Sequence, residues 1–95
     1  MRLTKKEISA IKKVFTQIFG MGKIFLFGSR VSKNKLGGDI DIYIVPEQKD
    51  DLFSKKLSFL VSLKKLIGDQ KIDVIIAKNP DRAIEKEALE NGVEL

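Results

Sequence analysis

Ile8, Ile11, Val14, Phe15, Ile18 and Phe19 recur at three- and four-residue intervals, which predicts a helix with one apolar stripe, and Lys5, Lys6, Lys12 and Lys13 fall largely outside it. Thr4-Lys5-Lys6-Glu7 has the form of a capping box, so the helix should begin there, and Gly20 and Gly22 supply its stop. Lys23 to Phe27 is a short continuous apolar run, as expected of a strand covered on both faces. It ends at Gly28, and Ser29 is a suitable N-cap for a short helical turn through Arg30 and Val31. Ser32 to Gly38 is polar, basic and glycine-ended, which predicts a surface loop.

From Asp39 to Val45 the period becomes two, with Ile40, Ile42 and Ile44 on one face and Asp39, Asp41, Tyr43 and Val45 on the other. Pro46 ends this strand because it cannot donate to a ladder. Helical spacing returns from about Asp50 to Ile67, with Leu52, Phe53, Leu57, Leu60, Leu63 and Ile67 as the predicted inner positions. Asp50 and Asp51 suit its positive end, and Gly68 suits its C-cap. Lys71 to Ala77 repeats the earlier alternation in the same phase, placing Ile72, Val74 and Ile76 on one face and Asp73 on the other among Lys71, Ile75 and Ala77. Asn79-Pro80-Asp81 combines a cap, a proline and an acidic first turn, predicting a helix to about Glu90 with Ile84, Ala88 and Leu89 on its apolar side.

The order helix, strand, short helix, strand, helix, strand, helix predicts an α/β domain (α+β in some schemes) with a small three-stranded sheet and helices packed on it. Its 95 residues are expected to form one domain with a modest core. No apolar run approaches the ~18 residues of a membrane span, and the first ten residues lack the apolar centre of a signal peptide, so a soluble, cytoplasmic protein is expected.

Composition narrows the chemistry. There is no cysteine, which excludes thiolate catalysis, disulfides and zinc–sulfur sites, and no histidine, which excludes Ser-His-Asp hydrolysis and imidazole ligation. A metal site would have to use oxygen ligands, which favours Mg²⁺, Mn²⁺ or Ca²⁺. The net charge of +5 would attract nucleotides, nucleic acid or an acidic partner, although cations spread so evenly along a chain usually serve as solvated surface.

Within this frame Asp39 and Asp41 stand roughly 7 Å apart along one strand and point the same way. If the third strand pairs with theirs, ~4.8 Å away, Asp73 joins them. Carboxylates ~5 Å apart repel by about 3 kcal/mol per pair at an effective dielectric near 20, a cost that a divalent cation turns into binding. Gly28 and Ser29 offer backbone amides for phosphate beside them, and Lys33 and Lys35 lie in the adjoining loop. A metal–nucleotide complex fits such a site, and in-line attack on phosphorus is the chemistry it supports. Asp39 and Asp41 would hold metal, and Asp73 would ligate it and take up the proton of the attacking hydroxyl, since no histidine exists to do so. Rival motifs are missing: there is no GxxxxGK[ST], no G-x-S-x-G around Ser29, and no EF-hand continuation after the Asp-x-Asp.

Gly28-Ser29, then Asp39-Ile40-Asp41 about ten residues later on the next strand, then a distant Asp73, together resemble the signature of the minimal nucleotidyltransferases of the DNA polymerase β-like superfamily. Arg30 matches the Gly-Ser-Arg form common in that group, whereas Gly38 stands where a serine commonly precedes the first aspartate. The resemblance covers nearly the whole chain. It implies a mixed three-stranded sheet with flanking helices, catalytic and metal-binding roles for Asp39, Asp41 and Asp73, and nucleotide or phosphate contacts from Gly28, Ser29 and Arg30. It implies Mg²⁺ (or Mn²⁺) as cofactor and ATP as substrate, with AMP passed to a tyrosine of a helical HEPN-type toxin for which the protein is the antitoxin. The alternative is a non-catalytic antitoxin that neutralises its partner by contact. The chain has no separate acceptor domain, so the acceptor surface is expected from that partner or from a second copy in a homo-oligomer. Nucleic acid is not expected as the primary partner, because neither an RNA-binding motif nor an aromatic platform is present.

Overall fold

A computed structural model of the protein describes residues 3–28 and 40–95. It consists of α1 (Lys5–Phe19), β1 (Gly22–Phe27), β2 (Ile40–Pro46), α2 (Leu52–Ile67), β3 (Ile72–Ile76), α3 (Ala83–Asn91) and β4 (Val93–Glu94). The strands form one mixed sheet in the order β3-β2-β1-β4. β1 runs antiparallel to β2 and to β4, whereas β2 and β3 are parallel, with α2 as their crossover. The two-residue β4 extends the expected three-stranded sheet by pairing Glu94 and Val93 with Phe25 and Leu26.

The alternating pattern decides which face each helix covers. Ile24 and Leu26 of β1, Ile40, Ile42 and Ile44 of β2, and Ile72 and Val74 of β3 pack with Ile11, Val14, Phe15 and Phe19 of α1 and with Phe59 and Leu63 of α2. The opposite face, with Phe25, Phe27, Tyr43, Val45, Ile75 and Ala77, meets Ala88 of α3. Covered on both faces, β1 is buried from Ile24 to Phe27, as its continuous apolar run predicts. Among the described residues no helix is long and apolar enough to cross a membrane.

The capping box at the start of α1 is formed in full. The Glu7 amide donates to Thr4 Oγ1 (3.1 Å), and the Thr4 amide donates to Glu7 Oε1 (2.9 Å). Glu7 Oε2 also accepts from Gln70 Nε2 at 2.6 Å, tying this end of α1 to the segment entering β3. Thr4→Ala removes an oxygen that satisfies a helix-end donor, and urea denaturation is expected to show a loss of about 1 kcal/mol.

Two helices differ from their expected form. On α2, Phe53 and Leu57 are 75% and 49% exposed rather than inward, and Phe59, absent from the expected set, is fully buried. Apolar residues occupy more than one side of this helix, so spacing alone admits two phases, and the Phe19–Phe59 contact (ring centroids 6.0 Å apart) belongs to the phase adopted. The last helix starts at Ala83 instead of Pro80. Asn79 Oδ1 accepts from the Asp81 amide at 2.9 Å, so the Asn-Pro-Asp run makes a turn before the helix. Ile84 and Leu89 are exposed, and α3 buries Glu85 and Ala88.

Candidate functional site

Strand direction brings two of the expected acidic residues, Asp41 and Asp73, to one end of the sheet. Because β1 is antiparallel to β2 and β3 is parallel to it, the exit of β1 and the entrances of β2 and β3 share that end. Phe27 is the register partner of Asp41 on one side, and Asp73 is its partner on the other. Register partners on paired strands turn their side chains to the same face, so both carboxylates project from the face that α3 covers farther along. Asp41 is half-buried and Asp73 is exposed.

Gly28 follows Phe27 directly and adopts φ +77°, in the left-handed region. A Cβ built there would collide with Oδ2 of Asp41, so backbone conformation and the adjoining carboxylate both require glycine. Gly28→Ala is expected to lose about 1–2 kcal/mol from backbone strain alone, and more from displacing Asp41, as read by thermal or urea unfolding.

A cleft of about 380 Å³ is lined by Phe27, Asp41, Asp73 and Ile75 from one face of the sheet, by Ile72 and Val74 from the other, by Ile84 of α3, and by Lys56 and Leu60 of α2. Lys56 brings a cation to the cleft, although α2 gave no functional signal in the sequence; a lysine on a lysine-rich helix does not stand out by spacing. Ser29, Arg30 and Asp39, together with Lys33, Lys35 and Gly38, lie outside the described residues. Among the described residues no group of three potential metal-binding side chains is assembled; Asp41 and Asp73 form a pair. Two carboxylate oxygen donors facing one cleft are a hard-ligand set, suited to Mg²⁺ or Mn²⁺.

Two residues beyond Asp41 on the same strand and face, Tyr43 begins a buried polar network that the sequence did not signal. Its hydroxyl donates to Glu85 Oε1 at 2.8 Å. The amides of Lys78 (3.1 Å) and Asn79 (2.9 Å) and the guanidinium of Arg82 (3.2 Å) also donate to the Glu85 carboxylate. Glu85 is fully buried. Burial opposes its ionisation, but the Asn79 amide, the Tyr43 hydroxyl, the Lys78 amide and the Arg82 charge outweigh that and hold its pKa below the ordinary value. Burial, together with the hydrogen bond to Glu85 and its negative charge, pushes Tyr43 up to about 12 against the opposing charge of Arg82. The network fastens α3 and the turn before it to the strand that carries Asp41. An acidic residue on a helix with four charged positions in nine reads as surface, and no local spacing signals the hydroxyl 42 positions earlier that meets it in the core.

The family model described as "Polymerase beta, Nucleotidyltransferase" matches residues 9–95, a span that includes Gly28, Asp41 and Asp73. No curated protein matches the chain.

Proposed function

Because the chain belongs to the polymerase beta nucleotidyltransferase family, we propose that it transfers AMP from ATP to a protein hydroxyl, with a tyrosine of a HEPN-type toxin as acceptor, and so acts as that toxin's antitoxin. The observation that carries the site is the register pairing of Asp41 with Asp73 beside Gly28. Asp41 and Asp73, with Asp39 immediately before β2, are the residues that would hold Mg²⁺ or Mn²⁺. Bound there, the cation would neutralise charge on the phosphate oxygens during in-line displacement.

The chain's own groups have separable tasks. Gly28 has no Cβ to collide with the Asp41 carboxylate, and Ser29 and Arg30 would contact the phosphates. Asp73 accepts the proton of the attacking hydroxyl as the new oxygen–phosphorus bond forms at the α-phosphorus. The bond to the bridging oxygen breaks, and pyrophosphate leaves. Asp73 is exposed, so an acceptor from another molecule can reach it.

An acceptor on another chain follows from the tyrosine count as well. The sequence contains one tyrosine, Tyr43, which is 2% exposed with its hydroxyl engaged by Glu85. Within these 95 residues no tyrosine is accessible to receive AMP, which supports an acceptor on a partner. The test is incubation of the protein with Mg²⁺, ATP labelled at the α-phosphate and the protein encoded next to it. Label on a tyrosine of a helical HEPN-type neighbour is the expected result, and a verified native pair that transfers none would overturn the reading.

A further inference from the structure

Among the described residues the sheet is open along β3. In the order β3-β2-β1-β4 this strand has β2 on one side, and among the described residues no strand pairs with its other side. The hydrogen bonds at the two ends of the β2–β3 ladder decide which backbone groups face outward. The Ile40 amide donates to the Lys71 carbonyl at 2.9 Å, and the Ala77 amide donates to the Ile44 carbonyl at 2.8 Å. In a parallel ladder, residues that bond the neighbour alternate with residues whose N–H and C=O point away from it. Lys71 and Ala77 are bonded inward, so in the same alternation Ile72, Val74 and Ile76 present their donors and acceptors to the open side.

This edge runs through the candidate site. Asp73 and Ile75 face the part of the cleft bounded by Ile84, and Ile72 and Val74 border the part bounded by Lys56 and Leu60. Next to it on α2, Phe53, Leu57 and Val61 form an exposed apolar row at four-residue intervals. Phe53 is three residues from Lys56 and Leu57 three from Leu60, which makes them surface neighbours on a helix, so the row borders the cleft. Contiguous exposed apolar residues beside an unpaired strand edge are the features that mark a docking surface for extended chain.

We propose that the acceptor docks as an extended protein segment that adds a strand to the outer edge of β3, rests apolar side chains on Leu57, Leu60 and Ile84, and turns a hydroxyl side chain towards Asp41 and Asp73. This rests on the transfer reading above and specifies how the partner meets the site. An extended backbone is the conformation that satisfies the outward groups of Ile72, Val74 and Ile76 in sequence. Because side chains alternate across an added strand, a residue beside Asp73 shares its face. Lys56, on the other face, favours an acidic neighbour. A second copy of this chain paired edge to edge would cover the cleft without supplying an acceptor, since Ile72–Ile76 has no hydroxyl side chain.

The test uses a capped nine-residue peptide with a central tyrosine, valines sharing the tyrosine's face, and leucine alternating with glutamate on the other. Two further copies are N-methylated at one or the other alternate set of backbone nitrogens. Strand addition predicts chemical-shift changes at the Ile72, Val74 and Ile76 amides, and weakening of binding and labelling by about tenfold or more in one methylated copy and not the other. The double variant Phe53→Asp with Leu57→Asp, at exposed positions, is expected to lower peptide labelling similarly while leaving transfer to free N-acetyltyrosinamide unchanged. Label transfer that both methylated copies support equally, without shifts at those three amides, would overturn strand addition and leave transfer standing. The amide shifts without label on the peptide or on N-acetyltyrosinamide would uphold the docking edge and overturn transfer. Neither shifts nor label would overturn both.

Discussion

Asp41→Asn and Asp73→Asn are each expected to reduce Mg²⁺-dependent transfer of labelled AMP by about a thousandfold, with the fold retained. Asparagine keeps the size of the side chain and removes the charge that would hold a divalent cation; at Asp73 it also removes the proposed proton acceptor. The stability effect at Asp73 should be small, because Asp73 is exposed and neutralising one of two register-paired carboxylates relieves a solvent-screened repulsion. Thermal unfolding with and without Mg²⁺–ATP separates binding from folding. The wild-type protein is expected to gain stability, as from a ligand that binds only the folded state, and the variants to lose most of that gain. The same variants divide the two antitoxin mechanisms. A protein that neutralises its partner by contact would still inhibit it without the carboxylates, whereas one that acts by transfer would not. A double Asp41→Asn, Asp73→Asn variant that transfers label as well as wild type would end the catalytic reading.

The candidate site was legible in the sequence to the extent that it depends on local phase. Alternation along β2 and β3 places Asp41 and Asp73 on the face opposite Ile40, Ile42, Ile44, Ile72 and Val74, and the structure has that arrangement. Asp41 and Asp73 become register partners through the parallel pairing of β2 and β3, which side-chain alternation does not encode; alternation is the same for a parallel and an antiparallel neighbour. The capping box of α1 was legible for a similar reason, since Thr4 and Glu7 satisfy each other within one turn. Features that depend on distant chain were not. Phe53 and Leu57 carry the right spacing for burial, but α2 settles on Phe59 and Leu63 because those positions meet α1 and the sheet. Asn79-Pro80-Asp81 fits both a helix start and a turn, and Glu85 holds the turn by accepting from the Lys78 and Asn79 amides. β4 is too short to carry a period of its own and exists through its pairing with β1.

Glu85→Ala is expected to destabilise the protein by about 3 kcal/mol, because it strips the acceptor from the Tyr43 hydroxyl, two backbone amides and Arg82 at once and leaves the buried donors unpaired. In a domain of this size that corresponds to a fall of roughly 15 °C in Tm. The pH dependence gives the network a signature distinct from general loss of packing. Glu85 has a folded pKa below its ordinary value of 4.5, so its contribution is present above that value and is lost as pH falls through the folded pKa. Tyr43 is displaced the other way, from 10.0 to about 12, so its contribution is full below pH 10 and disappears as pH rises towards 12. Wild-type stability should therefore decline on both the acid and the alkaline limb, and Glu85→Ala should flatten each. Because Tyr43 is the sole tyrosine, its ultraviolet tyrosinate absorbance reports this site without interference. The folded wild type is expected to titrate near pH 12, and Glu85→Ala appreciably lower, since the hydrogen bond and the neighbouring negative charge are both removed. An unchanged tyrosinate titration in the variant would show that Glu85 does not govern Tyr43. The effect should reach the end of the sheet that carries Asp41 and Asp73, because Tyr43 and Asp41 share one face of β2 and the same network anchors α3, whose Ile84 lines the cleft. A loss of transfer activity at temperatures where Glu85→Ala is still folded would identify the network as a positioning element for that cleft, and activity falling only with the folded fraction would assign it to stability alone.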